Sequence, residues 1–170
     1  MISSDSKKLI EAGGIKLSHK KSLFEKAQLV KDTITEIQGR HQISCIAIEE
    51  NLQSFRSGMS SAKTLQSLAK FNGIVCYIVE SIFNIEPKLI NVVSARSKLS
   101  IKINRKAEES TKEQVLSWIK QHPSFENYEW PKKRLKSGPR KNTVVDDPSC
   151  YDIADSAVVA LSIIFEQSSD

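Results

Sequence analysis

Apolar residues change their spacing several times along this chain, and each change marks an element. From Ser22 to Gln38, Leu23, Ala27, Val30, Ile34 and Ile37 recur three and four apart, the period of a helix with one apolar face. Gly39 stands where a helix C-cap would. The next run, ISCIAI from Ile43 to Ile48, is nearly continuous in apolar and small residues, as a strand covered on both faces is, and it stops at Glu49 and Glu50. A polar, Ser-rich segment, NLQSFRSGMSS, then leads into a helix predicted from about Ser61 to Phe83. Its buried face is Leu65, Leu68, Ala69, Val75, Tyr77, Ile78 and Ile82, with Ser60 or Ser61 as cap. Pro87 marks a break and KLINVV, Lys88 to Val93, predicts a second strand. A helix over Thr111 to His122 and a last one over Asp152 to Phe165 follow. Near the start, Leu9, Ile10, Ile15 and Leu17 around Gly13 and Gly14 predict a short strand pair or bulged strand from Lys7 to Ser18. Strands alternating with helices predict an α/β layer with at least partly parallel strands.

Composition narrows the class. With 170 residues, of which 39% are apolar, the chain can fill one proper core, so one domain over residues 1–170 is expected. No run of 18 apolar residues occurs, and MISSDSKKLI has no apolar stretch of signal-peptide length. The expectation is therefore a cytoplasmic protein with no membrane partner. Cys45, Cys76 and Cys150 are odd in number, far apart and without a CxxC. They read as small core residues rather than as a disulfide framework or a zinc site.

The net charge of +5 is unevenly spread. PKKRLKSGPRK, Pro131 to Lys141, holds Lys132, Lys133, Arg134, Lys136, Arg140 and Lys141 with no acid. Pro131, Gly138 and Pro139 oppose regular structure there, so a mobile basic loop is predicted. Such a loop suits a polyanion whose phosphates it neutralises, and suits equally an ordinary solvated surface.

The acids are placed more selectively. Asp152 and Asp155, in YDIADSAVVALSII, stand at i and i+3 of the last predicted helix, roughly 5–6 Å apart at Cβ, close enough to converge on a divalent cation. The same positions would serve as N-cap and capping-box acid and please the helix dipole. Glu49 changes the balance, because a carboxylate at the C-terminal end of a buried strand lies where open α/β sheets gather ligands. Carboxylates for metal and cations for phosphate, positioned by one sheet, together describe a metal-dependent nuclease.

Glu49 in CIAIEE, Lys112 in STKEQVLSWI, and Asp152 and Asp155 in YDIADSAVVALSI occur in an order and at intervals that resemble the RuvC-type Holliday junction resolvases of the ribonuclease H-like superfamily. The resemblance covers about Leu9 to Phe165. It implies a three-layer fold with a mixed sheet flanked by helices, and an endonuclease that resolves four-way or other branched DNA as a homodimer, without a small-molecule cofactor. Two Mg²⁺ or Mn²⁺ ions would orient water and stabilise the leaving oxygen. By the same resemblance Glu49, Asp152 and Asp155 are metal ligands, and Lys112 is the cation beside the scissile phosphate; in its own right Lys112 also reads as a solvated first-turn lysine. Phe55 and Arg56, in the loop after Glu49, suit stacking on an unpaired base with a phosphate contact alongside, or plain anchoring of that loop.

One departure follows from the same comparison. The family opens with a central strand ending in an aspartate, whereas Met1 to Ser4 resembles the tail of the second strand and Lys8 to Leu17 the third. The first strand and first carboxylate are thus expected to be missing, leaving the Ile43–Ile48 strand without its usual neighbour and apolar surface open. Two other functions stay in view: a catalytically inactive relative that grips branched DNA, and a nuclease of the same superfamily acting on RNA–DNA hybrids.

Overall fold

A computed structural model of the chain describes residues 1–50 and 62–167. It divides into two compact units, one of residues 15–91 and one of residues 1–14 with 92–170.

In the first unit, helix α1 (Leu23–Arg40) begins where the sequence says it should. Ser22 Oγ accepts from the Glu25 N–H at 3.2 Å, and the Glu25 carboxylate accepts from the Ser22 N–H at 2.7 Å, a reciprocal cap that satisfies two donors the helix leaves open. Its end differs from expectation. The helix runs through Gly39 to Arg40, and an extended His41 caps it by donating to the Ile37 carbonyl, so no left-handed glycine is needed. Strand β1 (Ala47–Glu49), helix α2 (Ala62–Phe83) and strand β2 (Lys88–Ile90) then form a β-α-β unit. The strands are parallel, with Ala47 opposite Lys88, Ile48 opposite Leu89 and Glu49 opposite Ile90. Bonds from the Lys88 N–H to the Ile46 carbonyl and from the Glu50 N–H to the Ile90 carbonyl close the ladder at either end. Asn84, at φ 54°, takes the left-handed conformation that stops α2. The predicted strand over Ile43–Ile48 is thus shorter, and its apolar residues are half-buried rather than covered on both faces. In this unit Ala27, Val30, Ile78 and Val79 are buried, while Phe24 and Leu89 are exposed. The predicted α2 face is corrected, since Leu68, Ala69 and Tyr77 are exposed and Val79, beside Ile78, is buried instead. The predicted cap at Ser60 or Ser61 lies outside the described residues.

The second unit is better filled. Helices α3 (Val92–Lys98) and α4 (Thr111–Gln121) pack on α5 (Ser149–Gln167), around Ile119, Val115, Val158, Leu161 and Cys150, all essentially without exposure. Ser110 and Glu113 cap α4 by the same reciprocal pair seen at α1. The predicted strand Lys88–Val93 is corrected here. Its last two residues open α3, because Ala95 and Leu99, one helical turn apart, are buried in this core, and burial overrides the strand preference of two valines. The predicted strand pair over Lys7–Ser18 is also corrected: beyond a bridge between Ile2 and Leu9, the segment is irregular. It is held by Ser124, whose carbonyl accepts from the Leu9 N–H and whose hydroxyl donates to the Lys7 carbonyl.

The basic segment is not a structureless loop. Strands β3 (Lys132–Arg134) and β4 (Val144–Asp146) pair antiparallel as a hairpin. A further bond from the Leu135 N–H to Thr143 and one from the Asn142 N–H back to Leu135 extend it. The breakers sit where a hairpin tolerates them: Pro131 precedes the first strand, and Gly138, at φ +82°, turns the tip. The protein is therefore mixed α/β, with its described strands in two separate two-stranded sheets. No described helix is long and apolar enough to cross a membrane.

Candidate functional site

Helix α5 starts three residues before the sequence predicts, and this changes how its aspartates read. Asp147 takes up the helix entry, its Oδ1 accepting from the Ser149 N–H at 3.0 Å and from the Ser149 hydroxyl at 2.7 Å. Asp152 then lies inside the first turn, exposed, where its charge suits the dipole without capping anything. Asp155 lies beyond the first turn and has no capping role. The two carboxylates do share a face of α5, as their spacing requires.

Asp155 has a partner that the sequence did not reveal. Arg96, on α3, donates from Nη2 to Asp155 Oδ1 at 3.0 Å, and the side chains are only 17% and 19% exposed. The Arg96 Nε is buried with no hydrogen-bond acceptor. The guanidinium is thus held by one carboxylate oxygen. Sequence reading placed Arg96 in a basic stretch; the signal that could have found it is its position one residue after Ala95, on a helix short enough to be fixed by that buried residue.

The other expected ligand, Glu49, ends β1 at the C-terminal edge of the parallel pair, as predicted, with its side chain exposed. Asn72, on α2, donates to its carbonyl at 2.9 Å. Glu49 belongs to the unit of residues 15–91, whereas Asp152, Asp155 and Lys112 belong to the other. Lys112 is the second residue of α4 and is exposed. Among the described residues no group of three or more His, Cys, Asp or Glu side chains is gathered as a metal site. Two carboxylates on one helix face nonetheless fit a hard divalent cation of the Mg²⁺ kind, which uses one or two carboxylates and completes its shell with water and substrate phosphate. Phe55 and Arg56 lie outside the described residues.

The basic hairpin sorts its cations. At its base, Asp146 accepts from Lys132 at 2.5 Å and also from Lys120 of α4. These two bonds, Lys120 first, hold the Asp146 carboxyl below the usual carboxylate range. Lys120 also lies over the Trp130 ring, 5.7 Å from its centroid, and Trp130 packs edge-on against Tyr128 at 4.9 Å and stacks on buried Phe125 at 5.9 Å. Cys150 Sγ donates to the Pro131 carbonyl at 3.2 Å; burial, its largest cause, pushes that thiol up. Lys133 is half-buried on the opposite face of the strand, beside Val145. Arg134, Lys136, Arg140 and Lys141 are exposed and form no ion pair with a described carboxylate.

No protein-family model, no curated protein and no solved structure matches this chain.

Proposed function

We propose that this chain is a metal-dependent, structure-selective DNA endonuclease of the resolvase kind. It acts on four-way junctions or related branched DNA as a homodimer, in a ribonuclease H-like fold. The observation that carries the reading is the joint placement, within one unit, of Asp152 and Asp155 on one face of α5 and of an outward basic hairpin in the residues just before that helix. A divalent cation on those carboxylates would supply Lewis-acid stabilisation of charge on a phosphodiester. The chain's own residues then divide the work. Asp152 and Asp155 hold the cation. Lys112 neutralises charge on the phosphate, and the hairpin cations grip the backbone. A dimer is the economical assembly for paired cuts, because a two-fold axis relates two equivalent strands.

The test is cleavage of a labelled four-way junction by the full chain with Mg²⁺ or Mn²⁺. Asp155→Asn is expected to abolish cutting while junction binding, measured by mobility shift, stays within a few-fold. Unchanged cleavage in that variant overturns the metal assignment.

A second reading, a branched-DNA-binding protein that does not cut, is favoured by the Arg96–Asp155 pair: a carboxylate already neutralised by a guanidinium is a weaker metal ligand. Tight junction binding by the unaltered chain, with no cleavage under either metal, selects it.

A further inference from the structure

We propose that the β3–β4 hairpin is a two-stranded ribbon that enters the major groove of a B-form DNA arm, gripping it through Arg134, Lys136, Arg140 and Lys141. The inference rests on the DNA-binding part of the function proposed above and names the form of nucleic acid it takes.

Three observations carry it. Beyond its base the hairpin is open to solvent: every residue from Lys136 to Val144 is exposed. Its base is fixed by Asp146, which ties Lys132 of β3 and Lys120 of α4 together, and by the Pro131 carbonyl, which accepts from the Asp147 N–H and the Cys150 thiol. A ribbon so anchored presents its tip in a set direction. Finally, charge is segregated along it. The base cations share an acid, whereas the cations beyond Lys133 have none among the described residues.

Dimensions select the groove. Paired residues from Lys132 to Leu135 extend about 13 Å at roughly 3.3 Å per residue, and the turn adds to that reach. The B-form major groove is about 12 Å wide and 8.5 Å deep and admits a two-stranded ribbon, whereas the minor groove, about 6 Å wide, does not. The A-form major groove of RNA is deep and narrow and closed to side chains, so an RNA duplex excludes the ribbon. Cross-strand pairing sets Arg134 beside Val144, which is 58% exposed. A phosphate-seeking cation and an apolar contact for a thymine methyl thus share one face.

The experiment uses the full chain and follows fluorescence anisotropy of a DNA duplex, an RNA duplex and single-stranded DNA of one sequence across a KCl series. The chain is expected to bind the DNA duplex at least tenfold more tightly than the RNA duplex. Replacing Arg134, Lys136, Arg140 and Lys141 together by Gln should flatten the salt slope by about 3–4, near 0.9 per phosphate contact; Lys132→Gln alone should flatten it by less than one. These side chains are exposed, and an unchanged circular dichroism spectrum verifies that the variant is folded. Dimethyl sulfate footprinting supplies an independent readout: protection of guanine N7, which faces the major groove, is expected. Equal affinity for RNA duplex, protection confined to adenine N3 in the minor groove, or a salt slope indifferent to the tip overturns the ribbon while leaving DNA binding intact. Absence of binding to any nucleic acid, junctions included, removes the function proposed above as well.

Discussion

At the scale of single residues, Asp155 is ion-paired with Arg96 and is also the metal ligand proposed above. A carboxylate in reach of a cation is a metal ligand; the same carboxylate on Arg96 is a tie between α3 and α5. The pair is mostly buried, and the guanidinium's Nε has no acceptor, so removing either partner strands a polar group. Arg96→Gln and Asp155→Asn should therefore each lower stability by about 1–3 kcal/mol. The double variant should lose clearly less than the sum, since the two changes delete one interaction. Urea denaturation of the four proteins measures this; strict additivity would mean that the pair contributes no coupling. The two variants differ in chemistry, because Arg96→Gln keeps the Asp155 carboxylate. Cleavage retained by that variant and lost by Asp155→Asn separates a metal role from a structural one.

At the scale of elements, the hairpin depends on Asp146, and its protonation has a definite sign. Hydrogen bonds from Lys120 and Lys132 hold the folded-state carboxyl below its ordinary value. The stabilisation is thus fully present above the ordinary carboxylate range and is lost as pH falls through the lowered, folded value. Acid titration should loosen the hairpin base, seen as a change in the fluorescence of Trp130, whose ring lies beside Lys120. Asp146→Asn should show the loosened signal already at neutral pH and a much smaller acid transition. A titration identical to that of the unaltered chain would detach Asp146 from the hairpin's anchoring. The helices tell a plainer story. Ser22 with Glu25, and Ser110 with Glu113, cap their helices from within three residues. Both starts follow from local chemistry alone.

At the scale of the whole molecule, the two units are unequally built. The core around α5 contains the most deeply buried side chains, Ile119, Leu161, Val115 and Val158, whereas α1 and α2 bury Ala27, Val30, Ile78 and Val79 and leave Phe24 and Tyr77 largely in solvent. Local opening free energy follows buried apolar contact, so amides of α1 and α2 should exchange with deuterium faster than those of α4 and α5. Hydrogen-exchange mass spectrometry decides this, and uniform protection across both units would contradict it.

Sequence by itself determined what depends on near neighbours: the two capped helix starts, the β-α-β order that sets Glu49 at a strand end, and the shared face of Asp152 and Asp155. These follow from spacing and from groups within one or two turns. Tertiary structure decided what depends on distant partners. Two valines became helical because Ala95 found a core. A Pro- and Gly-punctuated basic run became a hairpin because Val144 to Asp146 lay where Lys132 to Arg134 could pair. Asp155 met Arg96, 59 positions away, and Asp146 met Lys120, 26 positions away. Periodicity reports which face of an element is apolar; only the packed chain determines which charge stands opposite it.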